Sequence, residues 1–124
     1  MGTGTDILLI EDDDDLSSVL AELLSEYGYE VATARHGAEG LAYLRAAAPL
    51  PRIILLDLTM PVMSGDEFCR VRDRDEALAA IPVFLLTARG EPELHVGTLG
   101  VQRAFRKPLD IPALLAALTD VLEQ

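Results

Sequence analysis

Two apolar runs in this sequence end in carboxylates. Ile7-Leu8-Leu9-Ile10 leads straight into Glu11-Asp12-Asp13-Asp14-Asp15, and Ile53-Ile54-Leu55-Leu56 leads into Asp57. A third run, Val83-Phe84-Leu85-Leu86, closes on Thr87, and Arg103-Ala104-Phe105-Arg106 leads into Lys107. Crowded carboxylates repel one another, and a hard divalent cation such as Mg²⁺ relieves that repulsion by taking oxygen ligands. A carboxylate can also attack phosphorus and form an acyl phosphate. An ammonium and a hydroxyl beside it stabilise the charge carried on the transferred group. Glu11, Asp12 and Asp57 are therefore candidates for the metal, Asp57 for the nucleophile, and Thr87 and Lys107 for contacts to the phosphoryl oxygens.

These groups work together only if the fold brings them to one edge. The apolar runs over residues 6–10, 52–57 and 81–87 read as strands buried on both faces, as in parallel sheets. Shorter strands are expected over 30–34 and 103–106. Between them lie helical patterns. Leu16, Val19, Leu20, Leu23 and Leu24 recur at helix spacing, and Gly28 suits the position just past that helix. Further helices are expected over 38–48, stopped by Pro49 and Pro51, from Gly65 onward, weakly over 90–100 because of Pro92 and Gly97, and over 111–122. Five strands alternating with five helices predict an α/β fold, a parallel sheet covered on both faces. Its ligand site lies at the carboxyl ends of the strands, which is where Glu11, Asp12, Asp57, Thr87 and Lys107 fall.

The bulk composition agrees. The 124 residues suit a single domain over 1–124, with 1–5 as a flexible start. A net charge of −11, from 21 acids against 10 Lys and Arg, disfavours nucleic acid and anionic membranes as direct partners. No apolar run is long enough to span a bilayer, and the first residues do not have the pattern of a signal peptide. The lone Cys69 forms no internal disulfide, which fits a reducing, cytoplasmic setting.

The segments Ile7-Leu8-Leu9-Ile10-Glu11-Asp12-Asp13, Leu55-Leu56-Asp57-Leu58-Thr59-Met60-Pro61-Val62-Met63-Ser64-Gly65, Pro82-Val83-Phe84-Leu85-Leu86-Thr87-Ala88 and Lys107-Pro108 occur in an order and spacing that resemble the receiver domain of two-component response regulators. The resemblance spans almost the whole chain. It implies a five-stranded flavodoxin-like, CheY-like fold and phosphorelay signalling. It implies Asp57 as phosphoacceptor, with Mg²⁺ held by Asp57, Asp12, the Thr59 carbonyl and, through water, Glu11. Thr87 and Lys107 would contact the phosphoryl group, with a cis bond before Pro108. The donor would be a sensor histidine kinase or a histidine phosphotransfer protein. The domain would not be a conventional enzyme: it would catalyse its own phosphorylation and a slow autodephosphorylation.

Two departures from the family pattern bear on output. The aromatic residue usual three positions before the lysine is Ala104 here, and Phe105 points to the other face because strand side chains alternate. The interval from Thr87 to Lys107 is also slightly short. A phosphorylation-independent interaction scaffold is therefore the alternative reading. An aspartyl phosphatase is disfavoured, because Thr59 stands where a second Asp would serve as acid and base. Asp13 to Asp15 also suit a helix N-terminus. Cys69 reads as a core residue, His36 and His95 as surface residues, and Arg89 as a candidate for controlling water access to the phosphoryl group. No output segment follows the last helix of this sequence, so a stand-alone receiver and a piece of a longer protein both stay open.

Overall fold

The unbroken apolar runs become strands. A computed structural model describes residues 4–88, 96 and 99–123. Strands β1 (Ile7–Ile10), β3 (Ile53–Asp57) and β4 (Val83–Thr87) are buried at every position. The shorter β2 (Val31–Ala34) and β5 (Arg103–Arg106) lie at the two edges and are only partly covered. All pairings are parallel, in the order β2-β1-β3-β4-β5. From β1 the chain moves outward to β2 and then crosses back to β3. The topological switch, where such sheets open a crevice, therefore lies between β1 and β3.

Alternation along the strands divides the core in two. Leu8, Ile10, Ile54, Leu56 and Leu85 pack against α2 (Gly37–Ala46), α3 (Gly65–Asp73) and the short α4 (Glu76–Ala79). Ile7, Leu9, Ile53, Leu55, Phe84 and Phe105 pack against α1 (Asp14–Glu26) and α5 (Ile111–Leu122). Each such Leu or Ile contributes about 2 kcal/mol on burial. The exposed Arg35–Asp14 ion pair, 3.3 Å long, belongs to a class worth at most about 1 kcal/mol. The sheet is held by its core rather than by surface ion pairs. No helix among the described residues is long and apolar enough to cross a membrane.

Helix ends follow the local chemistry. Asp13 caps α1 by accepting from the N–H groups of Asp15 and Leu16, and Asp14 and Asp15 sit in the first turn. At the other end Gly28 adopts φ +93°, its N–H bonds to Ser25 O and that of Tyr29 to Leu24 O, a Schellman motif. Helix α2 ends at Ala46, two residues before the expected limit at Ala48, and Ala47 is already extended. Ala48 precedes Pro49, whose ring disfavours helical geometry in the residue before it.

Helix α4 was not expected. It is a single turn capped by Asp75, whose carboxylate accepts from Ala77 and Leu78 N–H. The nearly buried Arg72 ties its end to β4, donating to Ala79 O at 2.9 Å and Ile81 O at 2.6 Å. The helix expected over 90–100, with Pro92 and Gly97, lies outside the described residues except for Val96, Leu99 and Gly100. Val96 and Leu99 are helical and pack against the α2/α3 core. Arg89 and His95 also lie outside the described residues. At the N-terminus, the Thr5 hydroxyl hydrogen-bonds the Tyr43 phenol.

Gly65 opens α3 directly against the end of β3. A Cβ there would lie 2.7 Å from Asp57 O and 2.8 Å from Leu58 Cα, both backbone atoms. At Gly40 a Cβ would meet Ile10 Cδ1 at 2.5 Å, the rotatable end of a side chain. Gly65→Ala is expected to cost about 2–3 kcal/mol through overpacking. Gly40→Ala is expected to cost about 1 kcal/mol or less, because helix propensity offsets part of the clash. Urea denaturation of the two variants measures the difference, and equal costs would contradict this account of the β3–α3 junction.

Candidate functional site

Each candidate residue is delivered by the end of a strand. Glu11 follows β1, and its N–H bonds to Ala34 O at 3.0 Å, extending the β1–β2 ladder by one step. Asp57 is the last residue of β3 and Thr87 the last of β4. Lys107 follows β5, with its N–H on Thr87 O at 2.8 Å. The parallel ladder stacks these termini side by side, so residues far apart in sequence share one edge.

Glu11, Asp12 and Asp57 converge there. One carboxylate oxygen from each lies within 4.8 Å of the others. Glu11 and Asp57 are buried, at 1% and 4% exposure, while Asp12 is open to solvent. The Lys107 ammonium lies between the buried pair, donating to Glu11 Oε1 at 2.7 Å and standing 3.5 Å from Asp57 Oδ1. The second Glu11 oxygen accepts from Asp13 N–H at 3.1 Å, and Asp57 Oδ1 accepts from Thr59 N–H at 3.3 Å.

The electrostatics follow from this crowding. Burial pushes the Asp57 carboxyl up to about 7, and the Glu11 charge adds to the rise against the opposing pull of Lys107. For Lys107, burial works to lower the pKa, but the hydrogen bond to Glu11 and the charges of Asp57 and Glu11 outweigh it and hold the ammonium above its ordinary value. The cluster therefore favours the charged form of Lys107 and works against the charge on Asp57. The donor set is all oxygen and carries more negative charge than one ammonium neutralises, which suits a hard divalent cation.

Of the residues expected at the site, Glu11, Asp12, Asp57 and Lys107 are brought together directly. Thr59 is adjacent through its N–H to Asp57; the expected contribution was its carbonyl. Thr87 is buried at the end of the neighbouring strand, and alternation puts it on the same face as Val83 and Leu85. The Lys107–Pro108 peptide is cis. Ala104 packs on the α2/α3 side, while Phe105 is buried on the other side with its ring 5.6 Å from Phe84. Cys69 is a core residue whose thiol burial pushes up to about 11.

Asp13 takes the N-terminal place expected of it, but its contact with Glu11 and the capping role of His36 were not expected. Asp13 both caps α1 and donates its N–H to Glu11, and His36 caps α2 through Nδ1, accepting from Glu39 N–H. The signal for the first was present in the sequence, an Asp just ahead of a helical stripe. His36 is an uncommon cap and carries no such signal.

Comparison with known proteins agrees with this geometry. The family model for the response regulator receiver domain matches residues 7–119. The chain is 37% identical over 118 residues to the hybrid signal transduction histidine kinase D of Dictyostelium discoideum, covering 94% of this chain and 7% of that protein. It is 36% identical over 121 residues to the phosphate regulon transcriptional regulatory protein PhoB of Rhizobium meliloti, covering 95% and 52%. It superposes on the chemotaxis protein CheY4 of Vibrio cholerae with a TM-score of 0.84 and 30% identity, covering 97% of this chain and all of that one. A Francisella response regulator receiver domain gives a TM-score of 0.85 over 96% and 97% of the two chains; at 20% identity this is a likeness of fold alone. The chain spans about half or less of the length of the two curated relatives. With the family model running through every strand and the carboxylates gathered at the strand ends, this chain belongs to the response-regulator receiver domain family of two-component signalling.

Proposed function

We propose that Asp57 accepts a phosphoryl group from a phosphohistidine on a sensor kinase or phosphotransfer protein, with Mg²⁺ held by Asp57, Asp12, the Thr59 carbonyl and, through water, Glu11. The observation that carries this reading is the buried Asp57 carboxylate, which shares the Lys107 ammonium with Glu11 at the carboxyl edge of the sheet. In the transfer, an Asp57 oxygen forms a P–O bond as the donor's P–N bond breaks. The electron pair passes to the ring nitrogen, which takes up one proton from water. Mg²⁺, when bound, supplies positive charge against the equatorial phosphoryl oxygens. Lys107 offers an ammonium to the same oxygens, and exchanging Glu11 for phosphoryl needs only a small movement of a long side chain. Thr87 adds its hydroxyl. The expectation of a single domain in a cytoplasmic setting belongs to the same reading. The absence of an aromatic residue at Ala104 and the short interval from Thr87 to Lys107 are the features that favour a phosphorylation-independent scaffold.

Intact mass after incubation with Mg²⁺ and acetyl phosphate tests the acceptor directly. One phosphoryl group is expected on the natural chain, and none on Asp57→Asn or in the presence of a chelator. An unlabelled natural chain that also fails to bind beryllofluoride would favour the scaffold.

A second expectation concerns pH. Asp57 is an acid whose folded pKa, about 7, lies above its ordinary value of 3.8. Its contribution to stability is therefore intact below pH 4 and is lost as pH rises from 4 through 7, where the unfolded chain ionises more readily. In a chelator, Asp57→Asn should become more stable than the natural chain across that window, by about 2–4 kcal/mol at pH 8. Mg²⁺ should narrow the gap by favouring the ionised carboxylate. Urea melts at pH 4 and pH 8 measure it, and a gap independent of pH would contradict the electrostatic account.

A further inference from the structure

Helix α2 begins at a histidine. The His36 Nδ1 accepts the Glu39 N–H at 3.2 Å and caps the helix. Helices α1, α3, α4 and α5 start instead on the side-chain oxygens of Asp13, Ser64, Asp75 and Asp110. Those oxygens remain acceptors near neutral pH, whereas histidine ordinarily changes charge between pH 5 and 8. A protonated imidazole carries N–H on both nitrogens. No rotation of the ring then restores an acceptor for Glu39, and the cation sits at the helix end that disfavours positive charge.

The start of α2 is tied to the loop that leaves Asp57. Gly37, the first helical residue, donates its N–H to Met63 O at 3.1 Å. The Met63 side chain lies over Gly37, where a Cβ would stand 2.7 Å from Met63 Cγ. The loop needs such support. Val62 holds φ +67°, a left-handed conformation that a β-branched side chain avoids. It is the centre of a tight turn in which Met63 N–H donates to Pro61 O at 2.7 Å. Strain of this kind persists only where the surroundings hold it. On one side Gly65 N–H bonds to Leu58 O at 3.0 Å; on the other the hold comes from Gly37.

Helix α2 packs on β1, β2 and α3. The charged groups at the ends of those elements nearest the junction are Glu11 after β1, Arg35 after β2, and Asp66 and Glu67 in the first turn of α3. Arg35 pairs with Asp14 of α1 and gives its own N–H to Glu39 Oε1 at 2.8 Å. The carboxylates favour an imidazolium and Arg35 opposes it, but none of them replaces the lost acceptor. We propose that neutral His36 is a positioning residue for the acceptor loop. While it caps α2, Gly37 holds Met63 and the loop keeps the shape in which Asp57 is phosphorylated; protonation of His36 releases that hold. The inference rests on the acceptor reading given under Proposed function.

The test compares the natural chain with His36→Asn, which caps at either pH, and His36→Ala, which cannot cap. Initial rates of labelling by acetyl phosphate at saturating Mg²⁺ are measured at pH 8 and pH 5.5. They are read as ratios to the natural chain, so that the titration of Asp57 cancels. His36→Asn should equal the natural chain at pH 8 and exceed it about threefold or more at pH 5.5, the scale of one lost cap. His36→Ala should be slower by a similar factor at pH 8 and equal at pH 5.5. Hydrogen exchange at the Gly37 amide should follow the same pattern, with protection lost at pH 5.5 in the natural chain, at both pH values in His36→Ala and at neither in His36→Asn. Ratios independent of pH overturn the inference, and so does either pattern without the other. If His36→Ala does not fold, the natural chain and His36→Asn decide alone. If no chain is labelled at either pH, the acceptor reading fails and the inference falls with it.

Discussion

The Lys107 ammonium lies 2.7 Å from Glu11 and 3.5 Å from Asp57, and the arrangement of the carboxyl edge depends on that placement. Removing two carboxylates from water is expensive, and pairing repays the cost only where geometry and hydrogen bonds are good. Glu11 meets that condition, with Lys107 on one oxygen and Asp13 N–H on the other. Asp57 meets it less well: Thr59 N–H stands at 3.3 Å, the ammonium is more distant, and the neighbouring Glu11 and Asp12 carboxylates work against its ionisation. The uneven sharing leaves Asp57 as the under-compensated carboxylate. A nucleophile toward phosphorus should be the member of the cluster that is least committed to existing partners.

This division depends on the sheet. Glu11 and Lys107 are 96 residues apart and come from strands with two others between them. Only parallel strands in close register carry both side chains to one edge, and the register is held by the two cores. The same alternation restricts how a change at the site could spread. Thr87 shares its face with Ala104, Val96 and Leu99, whereas Phe105 faces Phe84 on the α1/α5 side. An aromatic ring on the wrong face cannot follow Thr87.

Much of this architecture was legible in the sequence, for a physical reason. Strands buried on both faces need continuous apolar runs, and a carboxylate placed right after such a run must sit at the strand end. That is why Glu11, Asp57 and Thr87 could be placed from residue order alone. The pairing of Lys107 with Glu11 could not, because it depends on which strands become close neighbours and on how far a flexible side chain reaches. Helix α4 was missed because four residues show no period. Val62 was missed because β-branched residues are the last expected at positive φ, and composition predicts the preference of a residue rather than its violation.

The violations of ordinary preference collect at one end of the molecule. The buried, crowded carboxylates and the strained turn at Val62 both belong to the carboxyl edge and its β3–α3 loop. Away from that edge, β1, β3 and β4 are filled with Ile, Leu, Val and Phe at essentially no exposure. The two regions are linked in free energy. A domain of this size is stable by only about 5–15 kcal/mol, so an edge that lowers stability by a few kcal/mol is tolerable only if the rest of the fold holds a surplus. A mutation that thins the core therefore removes the margin that lets Asp57 remain buried and under-compensated, even when it touches nothing at the site.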